Sequence, residues 1–137
     1  HFRYVNNADP MKSKQLYKGL DQLMDEGVAQ LFTLDMNGRR VIGTVGALQY
    51  EVIQYRLEHE YGAKCSYENL QVHKACWVEP EDIKNEEFKE FKRVKQRYLA
   101  KDKQGQLVFL ADSEFTIQMT QSKYPSVKLH FVSEFKN

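Results

Sequence analysis

The chain is poor in the residues that most directly mark chemistry. Its 137 residues include two cysteines, Cys65 and Cys76. These are too few for a disulfide framework or a four-cysteine zinc site, so a reducing, cytosolic setting is expected. The four histidines, His1, His59, His73 and His130, have no second ligand at the i+2, i+3 or i+4 spacing of metal sites. His73 and Cys76 stand as His-x-x-Cys in an extended segment, which does not hold two ligands on one face. No stretch approaches the roughly 20 apolar residues of a membrane helix, and the N-terminus lacks the basic and apolar regions of a signal peptide. Charge of one sign is also missing: 20 Lys and Arg face 19 Asp and Glu, for a net charge of +1 and a pI near 7.9. Domains whose whole surface attracts nucleic acid have pI values above about 9, so any such contact here must be local.

Catalytic patterns are equally scarce. Gly43-Thr44-Val45-Gly46 lies between a strand-like and a helix-like run but lacks the Gly-x-x-x-x-Gly-Lys-Ser/Thr and Gly-x-Gly-x-x-Gly patterns. Its glycines fit a close helix approach and a chain turn, with a local anion site after Gly46 as the other reading. Ser113 and Ser122 lack the Gly-x-Ser-x-Gly elbow, and neither cysteine has a recognisably activating setting. Glu86 with Glu87, and Glu58 with Glu60, lie beside Lys and Arg on helix surfaces, where solvated ion pairing is commoner than acid–base work. No catalytic, cofactor or metal residues are expected in this chain.

What is present is an ordered series of elements in a length suited to one domain. The chain starts at His1 inside a strand-like run, as an excised piece of a longer protein would. Phe2 to Val5 reads as a strand and hands over to a helix capped by Asp9 with Pro10 in its first position. Leu16, Leu20, Leu23 and Met24 make its apolar face, and Gly27 ends it. Gln30 to Met36 and Arg40 to Val45 are strands joined by Asn37-Gly38, a strong hairpin signal. Ala47 to Tyr61 follows as a helix with Leu48, Val52, Tyr55, Ile53 and Leu57 on its apolar side and Gln49, Arg56 and His59 on its polar side. After Gly62 comes a strand from Lys64 to Glu68. The order strand, helix, strand, strand, helix, strand is the split β-α-β of ferredoxin-like domains. The expected fold is α+β, a two-layer α/β plait whose antiparallel sheet carries helices on one face.

Beyond residue 69, Leu70, Val72, Cys76 and Val78 recur in an extended segment. A helix is expected from Pro80 with Phe88, Phe91, Val94 and Tyr98 as its stripe. Gln106 to Ala111 reads as a strand after a turn at Lys103-Gln104-Gly105, Ser113 caps a helix reaching Lys123, and Val127 to Phe131 alternates as a last strand. No low-complexity linker separates the halves. Residues 1–137 are therefore expected to form one domain, with 1–68 the split unit and 69–137 a further α+β segment packed on it.

Charge is locally uneven. Residues 79–90 hold six acids against two lysines, and residues 92–103 hold Lys92, Arg93, Lys95, Arg97, Lys101 and Lys103 against Asp102. Acids at the positive end of a helix dipole and bases at its negative end explain such blocks. A basic patch interleaved with Tyr98 and facing RNA or protein is the alternative. Lys12, Lys14 and Lys18, and Arg39-Arg40 on the hairpin, carry the same two readings.

Asp9-Pro10-Met11-Lys12-Ser13-Lys14-Gln15-Leu16-Tyr17-Lys18-Gly19-Leu20, then Gln22-Leu23 and Glu26-Gly27, closely resemble the start of the C-terminal domain of bacterial peptide-chain release factor three, a class II translation-termination GTPase. Gly43-Thr44-Val45-Gly46-Ala47-Leu48-Gln49-Tyr50-Glu51-Val52 is similar to the same family's Gly-x-x-Gly-x-Leu-Gln-aromatic-acidic-Val segment, a cousin of which occurs in elongation factor G. Arg56-Leu57, Glu60-Tyr61, Tyr67-Glu68, Trp77-Val78, Leu99-Ala100 with Asp102, and Tyr124-Pro125 continue the resemblance, from about Phe2 to about Phe131. It implies a cytoplasmic domain that follows a GTP-binding domain and an elongation-factor-like β-barrel. GTP or GDP with magnesium would be held by the parent protein and not by these residues. The implied partners are the ribosome, through rRNA and ribosomal protein, those two domains of the same chain, and class I release factors indirectly, with no membrane. The full factor would act by promoting dissociation of class I release factors after peptide release. Lys12, Lys14, Lys18, Arg39, Arg40, Lys92, Arg93, Lys95 and Arg97 are the candidate ribosome contacts. The plait alone leaves a second function open, a free-standing ligand-binding or regulatory domain.

Overall fold

Asp9 and Pro10 begin the first helical segment as their chemistry requires. The Asp9 carboxylate accepts the Met11 N–H at 3.1 Å, and Pro10 opens a single 3-10 turn, Pro10–Lys12. The chain then continues as α1 (Ser13–Asp25), whose buried residues are Leu16, Gly19, Leu20, Leu23 and Met24, and Gly27 closes it at φ 80°. The computed structural model describes residues 1–79 and 85–132. They divide into two compact units, residues 1–32 with 39–70, and residues 33–38 with 71 onward.

The first unit contains β1 (Phe2–Asn7), α1, β2 (Gln30–Leu34), β3 (Arg40–Gly43), α2 (Leu48–Tyr61) and β4 (Cys65–Asn69). Strand β2 gives Gln30, Leu31 and Phe32 to this unit and its last two residues to the second. The strand order is β4-β1-β3-β2, with β1 antiparallel to both β3 and β4. That is the order of the split β-α-β plait expected from the sequence. Both helices cover one face. Leu16, Leu20 and Leu23 of α1 and Tyr50, Ile53 and Leu57 of α2 pack with Leu31, Ile42 and Cys65 of the sheet. At the closest approach of the two helices stands Gly19. A Cβ there would lie 2.8 Å from Leu57 Cδ2 and 2.9 Å from the Tyr61 ring. Glycine in a helix costs about 0.5–1 kcal/mol relative to alanine, and this proximity is what requires it.

The seam is closed by polar contacts at its edges. Arg56 of α2 binds Glu26, just past α1, through both carboxylate oxygens at 2.7 and 3.2 Å, and binds Glu60 at 2.7 and 2.9 Å. The Tyr61 hydroxyl donates to Gln22 Oε1. The Tyr50 hydroxyl lies 2.6 Å from the Ile42 carbonyl and 2.9 Å from that of His1, tying α2 to the ends of β3 and β1.

One face assignment made from the sequence is corrected. Leu48, Val52 and Tyr55 were expected on the buried side of α2, yet they are 69%, 45% and 62% exposed. Tyr50, Ile53 and Leu57 take the core instead. The helix has two apolar stripes, one at positions 48, 52 and 55 and one at 50, 53 and 57. Periodicity cannot choose between stripes of equal strength. The expected polar side is correspondingly engaged: Arg56 holds its two carboxylates, and Gln49 Nε2 donates to the Val28 carbonyl.

The second unit contains β5 (Lys74–Val78), α3 (Glu86–Val94), a 3-10 turn Gln96–Tyr98, β6 (Leu99–Lys101), β7 (Leu107–Ala111), α4 (Glu114–Lys123) and β8 (Leu129–His130). Its strand order, starting from the Thr33–Leu34 end of β2, is β2-β6-β7-β5-β8, with antiparallel pairings of β2 with β6, β6 with β7, β7 with β5, and β5 with β8. Taken alone, β5-α3-β6-β7-α4-β8 repeats the connectivity and the 4-1-3-2 order of the first unit. Residues from 71 onward are thus a second split β-α-β. In register, Cys76 faces Phe109 and Phe109 faces Leu99. These pack with Phe88 and Phe91 of α3 and Ile117 of α4 on one side of the strands.

Three details of this half differ from the sequence reading. The helix expected from Pro80 has its start among residues outside the described ones. The described helix begins at Glu86, with Asn85 Oδ1 accepting the N–H groups of Glu87 and Phe88. It ends at Val94, so Tyr98 falls in the following turn at 45% exposure. The strand β6 was not expected. Leu99 and Ala100 continue an apolar helical spacing, but their backbone pairs with β2 and β7. The hairpin turn after it is organised by Asp102, whose carboxylate accepts from Gln104 N, Gln106 N and Trp77 Nε1, with Gly105 at φ 81°. The last strand shrinks to Leu129–His130. Across the unit, Glu87 Oε1 accepts both the N–H and the hydroxyl of Ser126, fixing the turn after Tyr124-Pro125.

Leu20→Ala truncates a side chain with no exposed surface and is expected to cost about 2–5 kcal/mol in urea unfolding. A loss under about 1 kcal/mol contradicts the placement of α1. The hydrogen bonds from Ser126 hold the Glu87 carboxyl below its ordinary value. A lowered folded-state value gives stability that is present above the unfolded value, about 4.3, and is lost as pH falls further. Glu87→Gln should therefore flatten the fall in stability between pH 5 and 3, measured by urea midpoints, relative to the unaltered chain. An unchanged pH profile contradicts this role.

Candidate functional site

The basic residues singled out in the sequence are divided between the two units, and only some are free to meet a partner. Strand β1 alternates, sending Arg3 and Val5 to the helix-covered face and Tyr4 and Asn6 to the other. In register, Arg40 lies opposite Val5, so it is on the helix side. Its guanidinium stacks over the ring of Tyr17 of α1, 3.8 Å from the centroid. Lys14 is one turn before Tyr17 and Lys18 directly follows it, and both are exposed. Lys12 ends the 3-10 turn ahead of α1 and is exposed too. None of Lys12, Lys14, Lys18 and Arg40 has a carboxylate within ion-pair distance among the described residues. The result is a small platform, a half-exposed aromatic ring under a guanidinium with lysines on its own helix. It exists because the apolar stripe of α1 faces the sheet and the polar side is left outward.

Arg39, next in sequence to Arg40, is used differently. Its guanidinium stacks on Tyr4 at 3.6 Å and binds Glu68 at 3.0 Å and Asn6 at 3.1 Å. This ion pair also holds the Glu68 carboxyl below its ordinary value. Adjacent residues on a strand point to opposite faces, so Arg39-Arg40 is not one basic dipeptide.

In the second unit, Lys92 and Arg93 occupy the last turn of α3 while Glu86 and Glu87 occupy its first. That arrangement matches the helix dipole, an effect of about 0.3–1 kcal/mol per charge. Lys92 Nζ is 5.4 Å from the Phe88 ring centroid and Lys95 Nζ is 5.7 Å from that of Phe109, so their stems lie along the core's rim. Arg93 and Arg97 are exposed. Lys95 and Arg97 stand beyond the helix, so one helix does not carry the whole basic run.

The loop before α2 is the stretch whose glycines leave room in the sequence for an anion site. Gln49 Oε1 accepts the N–H groups of Val45 at 3.0 Å and Gly46 at 3.1 Å. Two donors that an anion would use there are thus taken by a side chain of the same helix. Neither sequence nor geometry here fits a nucleoside triphosphate and its magnesium. Both thiols are buried, and burial pushes Cys76 up to about 12 and raises Cys65. Among the described residues, no helix is long and apolar enough to cross a membrane, and no three His, Cys, Asp or Glu residues are grouped to hold a metal ion.

The residue the sequence reading missed is Tyr17. It could have been found from two signals together: it lies off the apolar stripe of α1 at i+3 from Lys14, and alternation puts Arg40 on the same side of β3 as the core residue Ile42. What remained hidden is that the two meet, since their contact joins residues far apart in sequence.

The platform, the close helix approach at Gly19 and the 4-1-3-2 strand order of the first unit all lie within the stretch that a family comparison recognises. Residues 1–121 match the model for the class II release factor RF3, C-terminal domain, and the chain belongs to that family.

Proposed function

We propose that this chain is the ribosome-contacting domain of a class II peptide-chain release factor, and that the Tyr17 platform is its principal RNA contact. The observation that carries the reading is the stacking of Arg40 on Tyr17 beside Lys14 and Lys18, all without internal ion pairs among the described residues. Cations free of carboxylates release counterions from a phosphate backbone, and an exposed aromatic ring offers a surface for a base or ribose. Lys12, Arg93, Lys95, Arg97 and Lys92 are secondary contacts in this reading. Arg39 supports the sheet, because its charge is spent on Glu68.

In the full factor, the domain works beside a GTP-binding domain and a β-barrel domain. GTP and magnesium belong to the former. The GTP-bound factor promotes departure of class I release factors from the ribosome after peptide release, in the cytoplasm. A packed α+β body with a fixed basic platform serves this as a rigid arm that transmits the nucleotide state to the ribosome.

The test is charge reversal in the full-length factor. Lys14→Glu with Lys18→Glu should weaken ribosome association and lower the slope of log K against log salt by about one to two, since each phosphate contact contributes about 0.7–0.9. Lys92→Glu with Arg93→Glu should do less. An unchanged slope in the first variant, with native circular dichroism, contradicts the platform as a phosphate contact.

A further inference from the structure

The solvent side of α2 carries a second surface of opposite character. Leu48, Val52 and Tyr55 follow one another at i, i+4 and i+7, and Val45, just ahead of the helix, is 94% exposed. His59 extends the line by stacking on Tyr55, with ring centroids 3.9 Å apart. Single exposed apolar residues are ordinary. Three at i, i+4 and i+7, on a helix whose other apolar stripe already fills the core, make an exposed apolar ridge, with Val45 just ahead of it in the chain. The ridge has a hollow of about 400 Å³ at its flank, lined by Glu51, Gln54, Tyr55, Glu58 and Lys64 among others.

Charge decides what fits. Glu51 has no ion-pair partner among the described residues, and the Glu58 contact with Lys64 is long, at 3.8 Å, between half-exposed side chains. On the far side, Arg56 is outnumbered by Glu26 and Glu60. The helix with its ionic neighbours is therefore net negative. A nucleic acid would bring phosphates against these carboxylates, whereas a cationic protein segment would meet them favourably. Tyr is also among the residue types that most often anchor protein interfaces.

We propose that this face of α2 docks an amphipathic basic segment of a protein partner. Its apolar side chains lie on Val45, Leu48, Val52 and Tyr55, and a Lys or Arg enters the hollow beside Glu51 and Glu58. This surface is separate from the Tyr17 platform and does not depend on the reading of that platform.

The test uses residues 1–137 and fluorescence anisotropy with three labelled probes: a helical peptide of Leu and Lys, the same peptide with Glu for Lys, and a short single-stranded RNA. The Leu/Lys peptide should bind saturably, and the Leu/Glu peptide at least about tenfold more weakly. Val52→Asp, and separately Glu51→Lys with Glu58→Lys, should each weaken the Leu/Lys peptide by about tenfold or more, a change of about 1.4 kcal/mol, while leaving circular dichroism unchanged. Should either fail to fold, Tyr55→Ala removes only an exposed ring and should still weaken the peptide several-fold. Equal binding of both peptides, or indifference to all variants, overturns the proposal. So does RNA binding that Val52→Asp abolishes, or a self-association of the chain that the same variant abolishes.

Discussion

The close approach of α1 and α2 at Gly19 is the constraint on which the first unit depends. With no Cβ at that position, Leu57 and Tyr61 come within 3 Å of where one would stand, and both helices can lie on the same four strands. Leu16, Leu20 and Leu23 then reach the sheet from one helix and Tyr50, Ile53 and Leu57 from the other. Arg56, Gln22 and Tyr61 close the seam with polar contacts at its edge, so no charge is buried to hold it. Exposed ion pairs of this kind contribute little to stability, about 0–1 kcal/mol each. Their value lies in fixing which way each helix is rotated about its axis.

That rotation is what turns structure into surface. Once the stripe of α1 is committed to the core, Lys14, Tyr17 and Lys18 face outward and Arg40 can reach Tyr17 from β3. Once Tyr50, Ile53 and Leu57 of α2 are committed, Leu48, Val52 and Tyr55 are left in solvent. One unit thus presents a basic platform on its first helix and an apolar, acid-flanked ridge on its second. The near-neutral composition, 20 bases against 19 acids, is the sum of such local differences. The second unit repeats the same order of strands and helices, with Asn85 and Ser113 as caps and Phe91 and Phe109 meeting edge-on at 5.6 Å in its core.

Much of this was legible in the sequence wherever a local rule had one solution. Asp9-Pro10 and Ser113 gave helix starts, Gly27 and Gly62 gave ends, and the strong single stripe of α1 gave its face. The reading failed where two solutions were equally good. In α2, two apolar stripes compete, and only the partner helix and the sheet decide between them. Leu99 and Ala100 extend a helical spacing, yet pairing with β2 and β7 draws them into a strand, so the second split β-α-β stayed hidden behind its missing strand. The basic candidates could be named from composition, but their fates could not. Arg39 and Arg40 are neighbours in sequence and opposites in use, one ion-paired with Glu68 over Tyr4 and one stacked over Tyr17 with no ion pair among the described residues.

The central functional claim is that the polar side of α1 faces ribosomal RNA. It is tested most directly by hydroxyl-radical probing from a chelated iron tethered to Lys18→Cys in the full-length factor bound to ribosomes. Cys65 and Cys76 are buried, so within this domain labelling falls on the introduced thiol. The account predicts strand cleavage of rRNA from residue 18. Absence of cleavage from residue 18, with the labelled factor still bound, would contradict it.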